Sequence, residues 1–138
     1  MEYHDDLIIV FGFMSGGGSN RYLPPLIWAG LIIVGSSIPN LSGLEMKITM
    51  ADKIAHFAEY FVLGFLVARA FMRFGIGSTR KIAGFILMAA VFGILDELHQ
   101  AFIPGRTVDI LDMAADVLGS FSAIMTYVWL AGRRRARL

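Results

Sequence analysis

The sequence predicts an all-α, polytopic membrane protein: an antiparallel bundle of four transmembrane helices. Three observations carry that prediction. Of the 138 residues 57% are hydrophobic and only 17% charged, and the mean hydropathy of +0.66 lies above that of ordinary soluble domains. Four apolar stretches are long enough to cross a bilayer, where roughly 20 predominantly apolar residues span a hydrocarbon core about 30 Å thick. Turn-forming residues separate them.

The elements follow in order. Residues 1–20 read as an N-terminal appendage and residues 21–138 as the four-helix domain. "MEYHDD" is acidic where a secretory signal needs a basic start, and no small-residue cleavage pattern follows "LIIVFGFM", so no cleaved signal peptide is expected. That apolar run is too short to span and leads into the flexible "SGGGS", which suits an interfacial segment. The first span, Tyr22 to Ile38, opens with Pro24 and Pro25, tolerated where amide hydrogens lack helical partners, and ends in "SSIPNLSG", where Ser36 and Ser37 are expected to bond the helix end. The second, Ile54 to Phe74, stops at "FGIGS". The third, Lys81 to Leu98, is followed by "IPGR", whose Pro-Gly pair predicts a type II turn. The fourth runs from Ile110 to Ala131.

Composition also excludes functions. Cysteine is absent, which removes disulfides, zinc-thiolate sites and thiol nucleophiles. A net charge of +1 argues against a nucleic-acid partner, and "RRRAR" directly after a span reads as a topology anchor. There is no P-loop, no nucleotide-binding glycine motif and no Ser-His-Asp order of a serine hydrolase.

Basic residues set the orientation. Nine of them (Arg21, Arg69, Arg73, Arg80, Lys81, Arg133, Arg134, Arg135, Arg137) fall on one side and three (Lys47, Lys53, Arg106) on the other, so both termini are assigned to the cytoplasm. Outside the appendage the acids Glu45, Asp52, Glu59, Asp96, Glu97, Asp109, Asp112 and Asp116 all map to the opposite half. Asp52 to Glu59, Asp109 to Asp116 and Asp96 to the Pro104 turn each reach about 10–12 Å into the slab at 1.5 Å per residue. Helical phase then aligns Asp52, His56 and Glu59 on one stripe, Asp96, His99 and Gln100 on a second, and Asp109, Asp112 and Asp116 on a third. An ionised carboxylate costs roughly 2.5–3.5 kcal/mol at mid-membrane. The three edges should therefore face inward around a shared, hydrated pocket that opens away from the cytoplasm.

The succession "SSIPN", "DKIAHFAEYFVLGF" and "DELHQAFIPGRTVDILDMAADVLG" resembles the VanZ-like family, small bacterial membrane proteins named for a member associated with teicoplanin resistance. The resemblance covers about residues 31–120. Its motifs, Asp-Lys-x-x-His-Phe and Asp-Glu-x-x-Gln-x-Phe-x-Pro-Gly-Arg with a trailing Asp and Gly, fall on Pro39, Asp52, Lys53, His56, Phe57, Tyr60, Asp96, Glu97, Gln100, Phe102, Pro104, Gly105, Arg106, Asp112 and Gly119. Asp116 departs from the pattern, since many relatives carry Asn there, which weakens it as a proton-transfer group. The resemblance implies a place in the bacterial cytoplasmic membrane, membrane lipids or a lipid-linked wall precursor or glycopeptide as partners, and an effect on teicoplanin susceptibility.

Within this pattern the expected catalytic candidates are His56, Glu59, Asp96, Glu97 and Asp112, and the binding candidates Asp52, Lys53, Tyr60, Gln100 and Arg106. Imidazole and carboxylates at helical spacing suit a divalent ion such as zinc or manganese, with His56, His99, Glu97 and Asp112 as candidate ligands. A buried hydrogen-bond network in which one carboxyl is protonated accounts for the same residues without a metal. Arg106 and Lys53 suit a phosphate at the headgroup level. Their intramolecular alternatives are Arg106 with Asp109 or Asp112, and Lys53 with Glu45 or Asp96. Phe57, Phe61, Phe65 and Phe102 read as packing or lipid-facing residues, Trp28 and Trp129 as interfacial belts, and Gly64 and Gly84 as points of close helix approach. Three functions stay open: binding of an anionic envelope component, hydrolysis or transfer on a phosphorylated envelope lipid, and ion- or proton-coupled transport.

Overall fold

A 3-10 turn, Gly18–Tyr22, and four α-helices make up the computed structural model: α1 (Leu23–Ser36), α2 (Met50–Phe71), α3 (Thr79–Gln100) and α4 (Ile110–Arg135). The structure describes residues 18–39, 50–72 and 79–136, and among them there is no strand. The expectations for residues 1–17, for Glu45 and Lys47, for Arg73 and the "FGIGS" turn and for Arg137 fall outside the described residues.

Three helices, α2, α3 and α4, are long and apolar enough to cross a membrane. The first expected span is shorter than the other three. α1 has 14 residues, about 21 Å at 1.5 Å per residue. Its limits are local. Pro24 and Pro25 occupy its first turn, and Pro39 disfavours helical geometry at Ile38, so the chain leaves the helix at Ser37. α2 starts at Met50, four residues before the expected Ile54, and this puts the whole "DKIAH" motif on the helix.

The exposure pattern is inverted relative to a water-soluble protein. Glu97 and Asp116 are 0% exposed and Asp96 1%, whereas Leu26 is 68% exposed and Leu87 65%. Water would solvate the acids and exclude the leucines; a hydrocarbon solvent reverses both preferences. The molecule is a helical membrane protein.

Helices α2 and α4 run parallel and form the principal packing pair. Their register is constant: His56 bonds Asp116 at 3.0 Å and Tyr60 bonds Ser120 at 3.3 Å, each pair 60 positions apart. Small residues permit the approach. A Cβ on Gly119 would overlap the carbonyl oxygen of Phe57, so the two backbones touch there. The C-terminal ends of α1 and α3 join this pair at the same end of the bundle, where Ser36 Oγ donates to Asp96 Oδ2 at 2.9 Å.

Below that polar end the interior is apolar. Ile32, Tyr60 and Leu63 pack with Trp28, Val67 and Phe92, and Ala68, Met72 and Ile124 pack with Ile82 and Phe85. Trp28 is partly buried, and its indole N–H donates to the Glu59 carbonyl of α2 at 2.9 Å. Trp129 does remain exposed, with the Arg133 guanidinium 3.9 Å from its ring centre. The expected turn after α3 is present: the Arg106 N–H donates to the Ile103 carbonyl at 3.1 Å, and Gly105 has a φ of 77°. That left-handed value is what a type II turn requires after Pro104.

Candidate functional site

Asp109 organises the polar end of the bundle. As the residue before α4, it caps the helix by accepting the Leu111 N–H at 2.8 Å through Oδ1. Its own N–H donates to Glu97 Oε2 at 3.0 Å and so ties the start of α4 to the end of α3. Its second carboxylate oxygen pairs with the Lys53 ammonium, which also donates to Asp112 Oδ1 at 2.6 Å. The Lys53 bond, with the Leu111 N–H behind it, holds the Asp109 carboxyl below its ordinary 3.8. Lys53 is thus placed between two carboxylates at the start of α4 and not with Asp96. Parallel neighbours dictate this, because the first turn of α2 lies beside the first turn of α4.

Arg106 is paired with neither Asp109 nor Asp112. Its Nη2 donates to the Gly35 carbonyl at 3.4 Å, and its Nε–H is buried without an acceptor among the described residues.

One turn further in lies a buried layer of His56 from α2, Asp96, Glu97 and Gln100 from α3, and Asp112 and Asp116 from α4. The imidazole Nδ1 of His56 sits 3.0 Å from Asp116 Oδ1. Gln100 donates to Asp96 at 3.4 Å and to Glu97 Oε1 at 3.5 Å, both long bonds. Among the described residues three buried oxygens have no partner: Asp96 Oδ1, Asp116 Oδ2 and the Tyr60 hydroxyl. Gly93 makes room for Asp116, because a Cβ there would stand 3.0 Å from Oδ2. Two sets of ligand atoms lie within 4.8 Å of one another: His56, Glu97 and Asp116, and Asp52, His56 and Asp112.

The structure therefore brings Lys53, His56, Asp96, Glu97, Gln100 and Asp112 into one cluster, with Tyr60 a turn below His56. Asp52 and Glu59 stand exposed at its flank. His99, expected as a metal candidate, instead faces Ser37 Oγ at 2.9 Å and belongs to neither ligand set. Ser37 also bonds the end of α1 as expected, through the Ile33 carbonyl at 2.6 Å, whereas Ser36 crosses to Asp96. Asp116, the weaker candidate by its departure from the family pattern, lies in the same layer, on the face that its spacing to Asp109 and Asp112 predicts. For Ser36 and Ser120 no sequence signal existed. Among the described residues the carboxylates of Asp52, Glu59, Asp96, Glu97, Asp109, Asp112 and Asp116 are accompanied only by Lys53, Arg106 and the His56 imidazole, so the local field favours a cation in the interior.

Helices that expose leucine and gather ionisable side chains in a buried layer at one end define a class, the helical membrane proteins with a polar interior. The VanZ/LLP1 family model matches residues 8–131, and the chain belongs to that family. It is similar to an uncharacterized protein of Schizosaccharomyces pombe, with 28% identity over 113 residues that cover 81% of this chain and 67% of that protein. No solved structure matches the chain.

Proposed function

We propose that this VanZ/LLP1-family protein is a four-span protein of the bacterial cytoplasmic membrane, with both termini in the cytoplasm, whose polar cluster opens outward and binds the phosphate of an envelope lipid or lipid-linked wall precursor. The distribution of basic residues supports the orientation. Support for a fourth span comes from the turn ahead of α1: its 5 residues add about 10 Å at 2.0 Å per residue to the roughly 21 Å of the helix.

The observation that carries the reading is Arg106. Lys53 is consumed by Asp109 and Asp112, whereas the Arg106 guanidinium keeps a buried N–H without an acceptor and one long bond to a carbonyl. A planar fork of donors at the headgroup level suits a phosphate. Lys53 then acts by positioning the start of α4. The similarity to a fungal protein favours a phospholipid headgroup, common to both kinds of membrane, over a bacterial wall precursor. Occupancy of that headgroup layer would alter the access of a glycopeptide such as teicoplanin to the surface.

A second reading, chemistry on the bound phosphoryl group, is favoured by the His56–Asp116 pair, an imidazole oriented by a carboxylate. Transport of protons or ions is the third reading, and it draws on the same buried acids. The binding reading is tested on the purified protein by native mass spectrometry in the presence of phosphatidylglycerol. Charge-assisted bonds contribute about 1.5–3 kcal/mol, so Arg106→Gln should weaken lipid retention by roughly 10- to 100-fold and Arg106→Lys by less. Undiminished retention in Arg106→Gln would refute the assignment.

A further inference from the structure

We infer that His56, Glu97 and Asp116 form a binding site for one divalent transition-metal ion, Mn2+ or Zn2+ by ligand chemistry. Each of α2, α3 and α4 contributes one ligand. An ion with bonds of about 2.1 Å holds its ligand atoms on the order of 3–3.5 Å apart. The edge from His56 Nδ1 to Asp116 Oδ1 is already 3.0 Å, and the ligand atoms all lie within 4.8 Å of one another. Small side-chain rotations close the set.

Charge balance points the same way. Lys53 is neutralised by Asp109 and Asp112, which leaves Asp96, Glu97 and Asp116, none more than 1% exposed, with only the His56 imidazole of their own layer to face them among the described residues. Burying a charge without a counter-charge is strongly unfavourable. Among the three ligands, a neutral imidazole and two carboxylates balance a dication, while Asp96 accepts from Ser36.

Unpartnered atoms supply an independent pointer. Asp116 Oδ2 is buried with no hydrogen-bond partner among the described residues, and it lies over Gly93, one turn before Glu97 on α3. It is thus directed at the helix that carries the third ligand. Glu97 Oε1 receives only the 3.5 Å bond from Gln100, while the Asp109 N–H on Oε2 fixes the orientation of the carboxylate. The alternative set of Asp52, His56 and Asp112 is disfavoured because the Lys53 ammonium, 2.6 Å from Asp112, repels a dication there.

The test uses the full chain in detergent micelles, stripped with a chelator and titrated with Mn2+ while the electron paramagnetic resonance signal of the free ion is followed. The expected result is one ion per chain and a higher unfolding temperature with Mn2+ present. Glu97→Gln and Asp116→Ala should each weaken binding by at least about tenfold, whereas Asp52→Asn and Arg106→Gln leave it unchanged. Should Asp116→Ala fail to fold, Glu97→Gln and His56→Gln decide. Helical wild-type protein that takes up neither Mn2+ nor Zn2+, or a loss of binding in Asp52→Asn with retention in Glu97→Gln, overturns the inference. Because Arg106→Gln is expected to bind the ion normally, a failure of the phosphate reading is distinguishable from a failure of this one.

Discussion

Replacing Gly64 with alanine should pry apart the two parallel helices on which the polar layer is built. The new Cβ would stand 2.9 Å from Ser120 Cα, 3.0 Å from the Ser120 carbonyl oxygen and 3.2 Å from Ala123 Cβ. Carbon atoms settle at about 3.5–4.0 Å. Since the nearest obstacle is backbone, no rotamer change relieves it, and α2 and α4 must separate by roughly 0.5–1 Å. The Ser120 to Tyr60 bond, one turn away and already 3.3 Å long, is lost, and the His56 to Asp116 contact in the next turn stretches. Overpacking costs about 1–3 kcal/mol and the lost bond about 1 kcal/mol more. The sum, roughly 2–4 kcal/mol, corresponds to about a 30- to 700-fold change in the folding equilibrium. The assay is reversible unfolding in mixed micelles with increasing SDS, followed by helical circular dichroism. Gly84→Ala is the matched control: nothing lies within 4 Å of its Cβ, so it gains up to about 1 kcal/mol of helix propensity and loses nothing. A Gly64→Ala protein within about 0.5 kcal/mol of wild type, or a Gly84→Ala protein as unstable as Gly64→Ala, would refute the packing argument.

Two further outcomes are expected. Asp109 titrates below its ordinary 3.8 because of Lys53, so its contribution to stability is fully present above that value and is lost as the pH falls through the lower folded-state value. Asp109→Asn retains capping ability but not the charge, and acid titration of its unfolding should lack that step; an unchanged acid profile would refute the pairing. In a chain without native cysteine, Thr107→Cys, exposed beside Arg106, should react with a membrane-impermeant maleimide added to intact cells. Labelling only after permeabilisation would reverse the proposed orientation.

What could be read directly from the chain was local. Hydropathy over a span's length marks α2, α3 and α4 to within a few residues, and Pro104–Gly105 specifies its turn whatever surrounds it, because only backbone sterics are involved. Helical phase likewise puts His56 on one stripe and Asp112 with Asp116 on another. What the sequence left undetermined was which stripes meet. Asp109, Asp112 and Asp116 share a face, and nothing along α4 says that the first two take Lys53 while the third takes His56; that follows only once α2 lies parallel to α4 in a fixed register. The same tertiary register sends Ser36 to Asp96, turns His99 toward Ser37, joins Trp28 to the Glu59 carbonyl and directs Arg106 to the Gly35 carbonyl. Covalent neighbours determine where a helix begins and ends, whereas the partner of a buried charge depends on the rotation and offset of a second helix, and only packing sets those.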